Sequence, residues 1–182
     1  MARTTSQSLP LVALRGRVIF PSATVSFDVG RLSSLTAVKS ATDGDSRLFV
    51  VTQKDADKNE ITPADVYDVG TVVRLKQVTR LPGNNIRITV EGLFRAAARS
   101  IEEAEHMLVA EVDEIKTVHG EKSLEEAYFR TAKDIMHEIS QGETRISKDV
   151  VAALERCTDP DEFVNLAANS IKCKLETKQQ LL

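Results

Sequence analysis

The fold class is decided by one stretch of sequence, Thr71-Val-Val-Arg-Leu-Lys-Gln-Val-Thr-Arg-Leu81, then Pro82-Gly-Asn-Asn85, then Ile86-Arg-Ile-Thr-Val90. In its last part Ile86, Ile88 and Val90 alternate with polar residues, which is the two-residue period of a strand with one buried face. The four residues before Ile86 are turn formers that commonly join antiparallel strands. The stretch therefore predicts a long β-hairpin.

Working outward from the hairpin, the sequence predicts further strands on both sides of it. They cover Leu9–Leu14, Val25–Val29, Arg47–Val51 and Met107–Ile115. A helix is predicted between the second and third of them, from the spacing of Leu32, Leu35, Val38 and Ala41, and it stops at Asp43-Gly44. Gly30 is interpreted as the turn from strand to helix, and Gly70 and Glu91-Gly92 as sites of a bend or bulge.

From Glu121 onward the apolar spacing is helical. One apolar stripe consists of Leu124, Tyr128, Ile135 and Ile139, with Ala127, Ala132 and Met136 alongside. Asp159-Pro160-Asp161-Glu162 is typical of a helix start, in which Asp159 caps the helix and Glu162 completes a capping box. The chain is therefore predicted to be α+β, with a β-rich lobe over residues 1–118 and a helical lobe over residues 119–182. The last segment starts a helix without a closing residue, and we expect a truncation there.

Composition bounds the classes of function. The chain has 182 residues, of which 42% are hydrophobic and 28% charged, as in an ordinary globular protein, and its net charge is -3. The absence of a basic excess disfavours nucleic acid as a partner. No apolar run is long enough for a bilayer and no secretory signal is present, so we expect a cytoplasmic protein without a membrane partner. Cys157 and Cys173 are consistent with a reducing compartment.

Motifs of catalytic and metal sites are missing from the sequence. No Gly is followed by Lys, as a phosphate-binding loop requires, and no Gly-x-Ser-x-Gly element occurs. His137-Glu138 resembles the start of a zinc-protease motif, but Gln141 stands where the second His belongs. We therefore expect neither catalytic residues nor a metal or other cofactor in this chain.

Several stretches, in the same order and spacing, resemble the amino-terminal domain of Lon-type ATP-dependent serine proteases (endopeptidase La). They are Leu9-Pro-Leu11, Leu14-Arg15, Phe20-Pro21, Val29-Gly-Arg31, Gln53-Lys-Asp55, Pro63, Asp65-Val-Tyr67, Val69-Gly-Thr-Val72, Leu81-Pro82, Val90-Glu-Gly92, Arg95, Ile146-Ser147, Asp159-Pro160 and Lys178-Gln179. The chain departs from the pattern at Ala13, Gly16 and Ser22, where the family often has Pro, Asp and Gly.

The resemblance implies a twisted β-sheet or pseudo-barrel lobe, similar to PUA-like domains, followed by a helical bundle. Lon proteins continue into an AAA+ ATPase module and a protease module with a Ser-Lys dyad, and they form rings of six. They degrade misfolded and short-lived regulatory proteins in protein quality control. ATP and magnesium belong to those further modules. The expected role of this chain is substrate recognition and assembly, with unfolded or damaged proteins as partners and a homohexamer in the parent protein.

A domain that captures unfolded chains needs exposed apolar surface. The candidate substrate-binding residues are those in the first loop and at the hairpin tip, Val18, Ile19, Phe20, Pro21, Leu81 and Pro82. For the first loop, the alternative is that it folds back against the β lobe. The alternative function is an RNA-binding module of the PUA-like kind. It is favoured by the local positive charge of the hairpin region, which contains Arg74, Lys76, Arg80, Arg87 and Arg95. The negative net charge of the whole chain and the scarcity of aromatic side chains, on which bases would stack, disfavour RNA binding.

Overall fold

The computed structural model describes residues 6–142 and 146–182. Within these ranges the strands are β1 Gln7–Leu14, β2 Thr24–Val29, β3 Arg47–Thr52, β4 Val69–Arg80, β5 Ile86–Ala104 and β6 Met107–Glu114. The helices are α1 Leu32–Asp43, α2 Lys122–Gly142, α3 Lys148–Arg156, α4 Pro160–Ser170 and α5 Leu175–Leu181. The predicted α+β class, with a β-rich lobe followed by helices, is confirmed. None of the described helices combines the length and the apolar character needed to cross a membrane.

The strands form one sheet that closes on itself. Its order is β2-β5-β4-β3-β1-β6, and β5 also pairs with β6, so that five strands make a ring and β2 lies outside it on β5. β1 and β3 run parallel, and all other neighbours are antiparallel. β5 closes the ring because its 19 residues pair with β2 and β4 in the first part and with β6 in the second. Ring closure leaves fewer unpaired strand edges.

The predicted bulge at Glu91-Gly92 is present and bends β5. Val73 pairs with Gly92 but the preceding Val72 pairs with Phe94, which leaves Leu93 as the extra residue. The interpretation of Gly70 as a bend was wrong, because the pairing continues without a shift through this residue. Its role is close approach, since a Cβ there would lie 2.4 Å from the main-chain oxygen of Val50.

The core of the β unit lies on both faces of the sheet. Neighbouring residues along the strands belong to different apolar clusters, as Leu11 and Val12 do in β1 and Val72 and Val73 in β4. α1 covers one of the faces with Ala37, Val38 and Ala41. Strands buried on both faces lose the apolar and polar alternation and become continuous apolar runs. This explains why β3 is apolar at every position from 48 to 51.

The chain divides into two compact units at boundaries that differ from the sequence-based ones. One unit comprises the chain up to Ile115 together with Lys174–Leu182, and the other is Lys116–Cys173. The last helix, α5, therefore groups with the strands and not with the other helices. Hydrogen bonds explain this, since Gln179 Nε2 donates to the Val69 oxygen at 2.9 Å and Arg95 Nε donates to the Leu182 oxygen at 2.5 Å.

The unit Lys116–Cys173 is built from α2, α3 and α4. Its core consists of Met136, Leu154, Cys157, Phe163 and Ala167. The rings of Phe129 and Phe163 meet edge to face with centroids 5.3 Å apart. Burial raises the pKa of the Cys157 thiol, which acts here as a small core side chain.

The predicted start of α4 is confirmed. The N–H of Glu162 donates to Asp159 Oδ1 at 2.9 Å, and Pro160 occupies the first turn. The return bond from the Glu162 side chain, which a full capping box requires, is not among the hydrogen bonds of the described residues.

We expect Asp159→Ala to lower the free energy of unfolding of the helical unit by about 1 kcal/mol, because it removes the acceptor of an otherwise unpaired helix N–H. Urea denaturation followed by circular dichroism measures this. Asp159→Asn keeps an acceptor and serves as the control. An equal loss in both variants would assign the effect to charge and not to the cap.

Candidate functional site

The structure places the first-loop candidates in the core. Val18, Ile19 and Phe20 are 5%, 3% and 0% exposed, and Pro21 is also buried. The expectation that this loop presents apolar surface is therefore wrong, and the alternative, that it folds back on the β lobe, holds. Any contact of these residues with a substrate stays untested.

Hydrogen bonds hold this loop against the strands. Thr71 Oγ1 donates to the Ile19 oxygen at 2.6 Å, and the Ser22 N–H donates to the Gly92 oxygen at 2.9 Å. Gly92 N–H in turn donates to the oxygen of Ala23 at 2.9 Å. The bulge of β5 thus provides both a donor and an acceptor to the loop, which satisfies main-chain groups that burial would otherwise leave unpaired.

The hairpin-tip candidates remain accessible. Pro82 is exposed and Leu81 is half-buried. Gly83 and Asn84 take φ values of +75° and 63°, and the Leu81 N–H donates to the Asn85 oxygen at 2.8 Å, which closes the turn. The predicted turn is confirmed, but the two apolar side chains at the tip offer only a small surface.

A larger apolar surface lies on α2. Leu124, Tyr128, Ile135 and Ile139, here called the α2 stripe, are 49%, 67%, 50% and 37% exposed. With 3.6 residues per turn these positions fall within an arc of roughly 60° on the helix. The pattern that predicted the helix thus contains the α2 stripe, which the helical unit does not use for its own core.

The core-facing side of α2 is a neighbouring arc. It consists of the buried Met136 and the half-buried Phe129 and Ala132. Lys133 lies next to them, with Nζ 4.8 Å from the centroid of the Phe129 ring and 2.5 Å from the Cys157 oxygen. These contacts fix the rotation of the helix about its axis, and the α2 stripe is left in solvent as a consequence.

Two of the five basic residues of the hairpin region, Lys76 and Arg87, are paired with carboxylates within the β unit. Lys76 Nζ lies 2.6 Å from Glu91, and Arg87 forms a two-point ion pair with Asp28 at 2.6 and 3.0 Å. Arg87 and Lys76 hold the pKa values of Asp28 and Glu91 below their ordinary ranges. Neutralised cations attract a phosphate backbone weakly, so this geometry adds no support to RNA binding.

No group of three His, Cys, Asp or Glu side chains is arranged to hold a metal ion within the described ranges. His137 lies on the surface, with Nδ1 3.2 Å from Glu155 and Nε2 2.9 Å from the Gln141 amide. Its contacts are those of a surface helix residue.

Comparison with known proteins gives a consistent result. Residues 8–182 match the family described as the ATP-dependent protease La (LON) substrate-binding domain. The chain is 34% identical over 179 residues to the Lon protease of Clostridioides difficile and 31% identical over 183 residues to that of Haemophilus influenzae. These alignments cover 96% and 100% of this chain and 23% of each relative.

Two solved structures share the fold. The amino-terminal domain of the Mycobacterium avium complex Lon protease superposes with a TM-score of 0.71 at 17% identity, over 96% of this chain and 89% of that one. The Xanthomonas campestris Lon N-terminal domain protein gives a TM-score of 0.51 at 17% identity, over 91% and 99% of the two chains. This chain, which spans less than a quarter of the length of its curated relatives, belongs to the family of Lon substrate-binding domains.

Proposed function

We propose that this domain binds apolar segments of unfolded or damaged proteins and that the α2 stripe is the surface that contacts them. The observation that carries the proposal is the exposure of four large apolar side chains on one arc of a single helix. Contiguous apolar surface of this kind is uncommon on soluble domains unless it binds something. The family description supports a protein substrate as the partner.

The dimensions of the α2 stripe suit a short extended peptide. From Leu124 to Ile139 the helix rises by roughly 22 Å, at 1.5 Å per residue. An extended chain covers this distance with roughly seven residues. Unfolded proteins expose apolar runs of that length, which folded proteins bury. A helix face without a deep pocket also accepts different apolar side chains, as a quality-control domain requires.

Leu81 and Pro82 at the hairpin tip are proposed as a second, smaller contact, because they are apolar and accessible. Val18, Ile19, Phe20 and Pro21 support the fold in this proposal, since the folded loop conceals them. A substitution at the hairpin tip is therefore expected to weaken substrate binding, whereas a substitution in the first loop is expected to lower the stability of the fold.

In the whole protein, this domain is proposed to deliver substrates to other modules. The relatives are named Lon proteases, and this chain covers 23% of their length. We assign ATP hydrolysis and serine-dependent peptide cleavage to the remainder of such a protein, in the cytoplasm. A ring of six copies would raise weak binding by each α2 stripe through effective concentration.

The test is a pair of substitutions in the α2 stripe. We expect Tyr128→Gln with Ile135→Gln to weaken binding of fluorescent, dephosphorylated β-casein, an unfolded protein, by about tenfold, because apolar area on two side chains no longer becomes buried in the complex. Gln is a good helix former, so α2 is retained. Fluorescence anisotropy titration of the purified chain measures the dissociation constant.

The matched control is Val164→Gln, since Val164 is 53% exposed but lies on α4 and is not part of the α2 stripe. We expect the control to bind β-casein as the unchanged chain does. Equal weakening in control and double variant, or full binding by the double variant, would contradict the assignment of the surface.

A further inference from the structure

A cavity of about 500 Å³ in the β unit has the properties of an anion site. It lies where β1 and β2 end and α1 begins. Its polar lining consists of Arg15, Arg17, Asp28, Arg31, Ser34 and Asn85. Cavities of this size hold small molecules. Two of the stretches that carry the family resemblance, Leu14-Arg15 and Val29-Gly-Arg31, meet here.

The three arginines of the cavity have no acidic partner among the described residues. Arg15 donates to Asn59 Oδ1 at 2.6 Å, and Arg17 donates to the Ser26 oxygen at 3.3 Å. Arg31 donates to Gln53 Oε1 at 2.7 Å and to the Lys58 oxygen at 3.2 Å. All of these acceptors are neutral, so the hydrogen bonds position the guanidinium groups without compensating their charge.

The one carboxylate of the lining is already engaged. Asp28 accepts two hydrogen bonds from Arg87, which is itself next to Arg17 at a smaller depression of the same surface. Burial lowers the pKa of the Arg31 guanidinium from its ordinary value, and the positive charge of Arg15 lowers it further. The two like charges are therefore close enough to repel one another, and an anion between them would relieve this repulsion.

α1 adds its amino terminus to the same cavity. The helix has 12 residues, its N-cap residue Arg31 makes no side-chain capping bond, and its first turn has no acidic residue. The first N–H groups of a helix lack partners within the helix and attract negative charge. In α3 and α4, by contrast, a side-chain oxygen of the N-cap residue, Ser147 or Asp159, accepts a hydrogen bond from one of these N–H groups.

Ser34, in the first turn of α1, provides an independent indication of a ligand. Its side chain is 7% exposed and lines the cavity, and within residues 6–142 and 146–182 its hydroxyl has no hydrogen-bond partner. The two threonine hydroxyls of the same helix bond to its main chain, since Thr36 donates to the Leu32 oxygen at 3.0 Å and Thr42 donates to the Val38 oxygen at 2.8 Å. Ser34 Oγ is not among the fully buried side-chain atoms that lack a partner in the described residues, so it reaches the open volume of the cavity, where a ligand atom can pair with it.

We propose that this cavity binds the phosphate group of a small molecule, with Arg15, Arg17 and Arg31 providing charge and Ser34 and the α1 amino terminus providing hydrogen-bond donors. Arginine with its planar donors and helix amino termini both suit phosphate oxygens. A small ligand is favoured over a macromolecule by the cavity volume. The shared chemistry of free phosphate and of a phosphate monoester is the dianionic tetrahedral group.

The test is calorimetric titration of the purified chain with inorganic phosphate, with AMP and with adenosine at low salt. We expect binding of phosphate, of AMP or of both, and none of adenosine. Preference for AMP identifies a monoester as the ligand, and preference for inorganic phosphate identifies the free ion. Equal binding of AMP and adenosine, or binding of none of the three, would overturn the proposal. So would a phosphoserine peptide that binds more tightly than either phosphate compound.

Two variants locate the site. Ser34→Ala removes the unpaired hydroxyl and introduces the best helix former, and Arg15→Gln removes one charge; each is expected to weaken phosphate binding by about tenfold. Arg80→Gln removes the same charge from the exposed hairpin and is expected to change nothing. Unchanged binding in Ser34→Ala, or equal losses in Arg15→Gln and Arg80→Gln, would refute the site. Binding of dephosphorylated β-casein by Ser34→Ala should be retained, which separates this test from that of the α2 stripe.

Discussion

Phe20→Ala is expected to lower the free energy of unfolding of the β unit by about 3–5 kcal/mol. Phe20 is 0% exposed and is among the largest fully buried side chains, so truncation loses its apolar burial and leaves a cavity that the surrounding strands only partly fill. Urea denaturation followed by circular dichroism gives the free energy. The loop carries main-chain hydrogen bonds to Thr71 and to the bulge of β5, which prevent it from collapsing into the space.

The control for this variant is Leu32→Ala, because Leu32 is 73% exposed and its truncation removes little buried area. We expect a change within about 0.5 kcal/mol for it. If Phe20→Ala were as stable as the control and lost affinity for unfolded protein, Phe20 would be a surface contact after all, and the folded-back loop would be wrong.

Gly92→Ala is expected to be the second most damaging substitution, with a loss of about 2–3 kcal/mol. A Cβ at this position would lie 2.4 Å from the Phe20 oxygen and 3.0 Å from the Pro21 Cα, and both are main-chain atoms that cannot rotate away. The loop would have to move out, which would break the hydrogen bonds between Gly92 and its partners Ser22 and Ala23. Urea denaturation measures the loss, and hydrogen exchange at Ser22 and Gly92 should rise with it.

Gly120→Ala is the matched control, since no atom lies within 4 Å of a Cβ placed there. It should leave stability unchanged or raise it slightly, because Ala restricts the unfolded chain. A small effect of Gly92→Ala, similar to that of Gly120→Ala, would show that the loop adapts without cost.

The elements of the β unit were largely predictable because their signals are local. Alternation in Ile86, Ile88 and Val90 and the turn residues before them suffice for the hairpin. Closure of the ring was not predictable in the same way. It depends on pairing between the far part of β5 and β6, and on β1 lying between β3 and β6, which are contacts between residues distant in sequence.

The candidate site shows where sequence patterns stop being informative. Phe20 stands in a loop, and the sequence cannot show that the loop folds back, since that depends on Thr71 and Gly92 in other strands. On α2, apolar residues occupy a wide arc, and only the packing of Phe129 against Phe163 decides which part faces inward. The exposed remainder, the α2 stripe, was therefore recognised as apolar but not as surface.

The cavity escaped sequence reasoning for a similar reason. Its arginines come from two stretches, Arg15 and Arg17 from the first loop and Arg31 from the start of α1, and each one alone looks like a solvated surface residue. One signal was present in the sequence at the start of α1. The N-cap residue Arg31 provides no capping acceptor, and the first turn, Leu32-Ser-Ser34, contains no acidic residue. The first N–H groups of such a helix are left for water or for a bound anion.

The route of the chain through the ring has a consequence for biosynthesis. Among the six strands of the β unit β1 is made first, but its antiparallel neighbour β6 follows roughly a hundred residues later. α5, which joins the same unit, emerges only after the three intervening helices. The ring of strands can therefore close as soon as β6 has been made, whereas α5 completes the β unit only after α2, α3 and α4 have been translated.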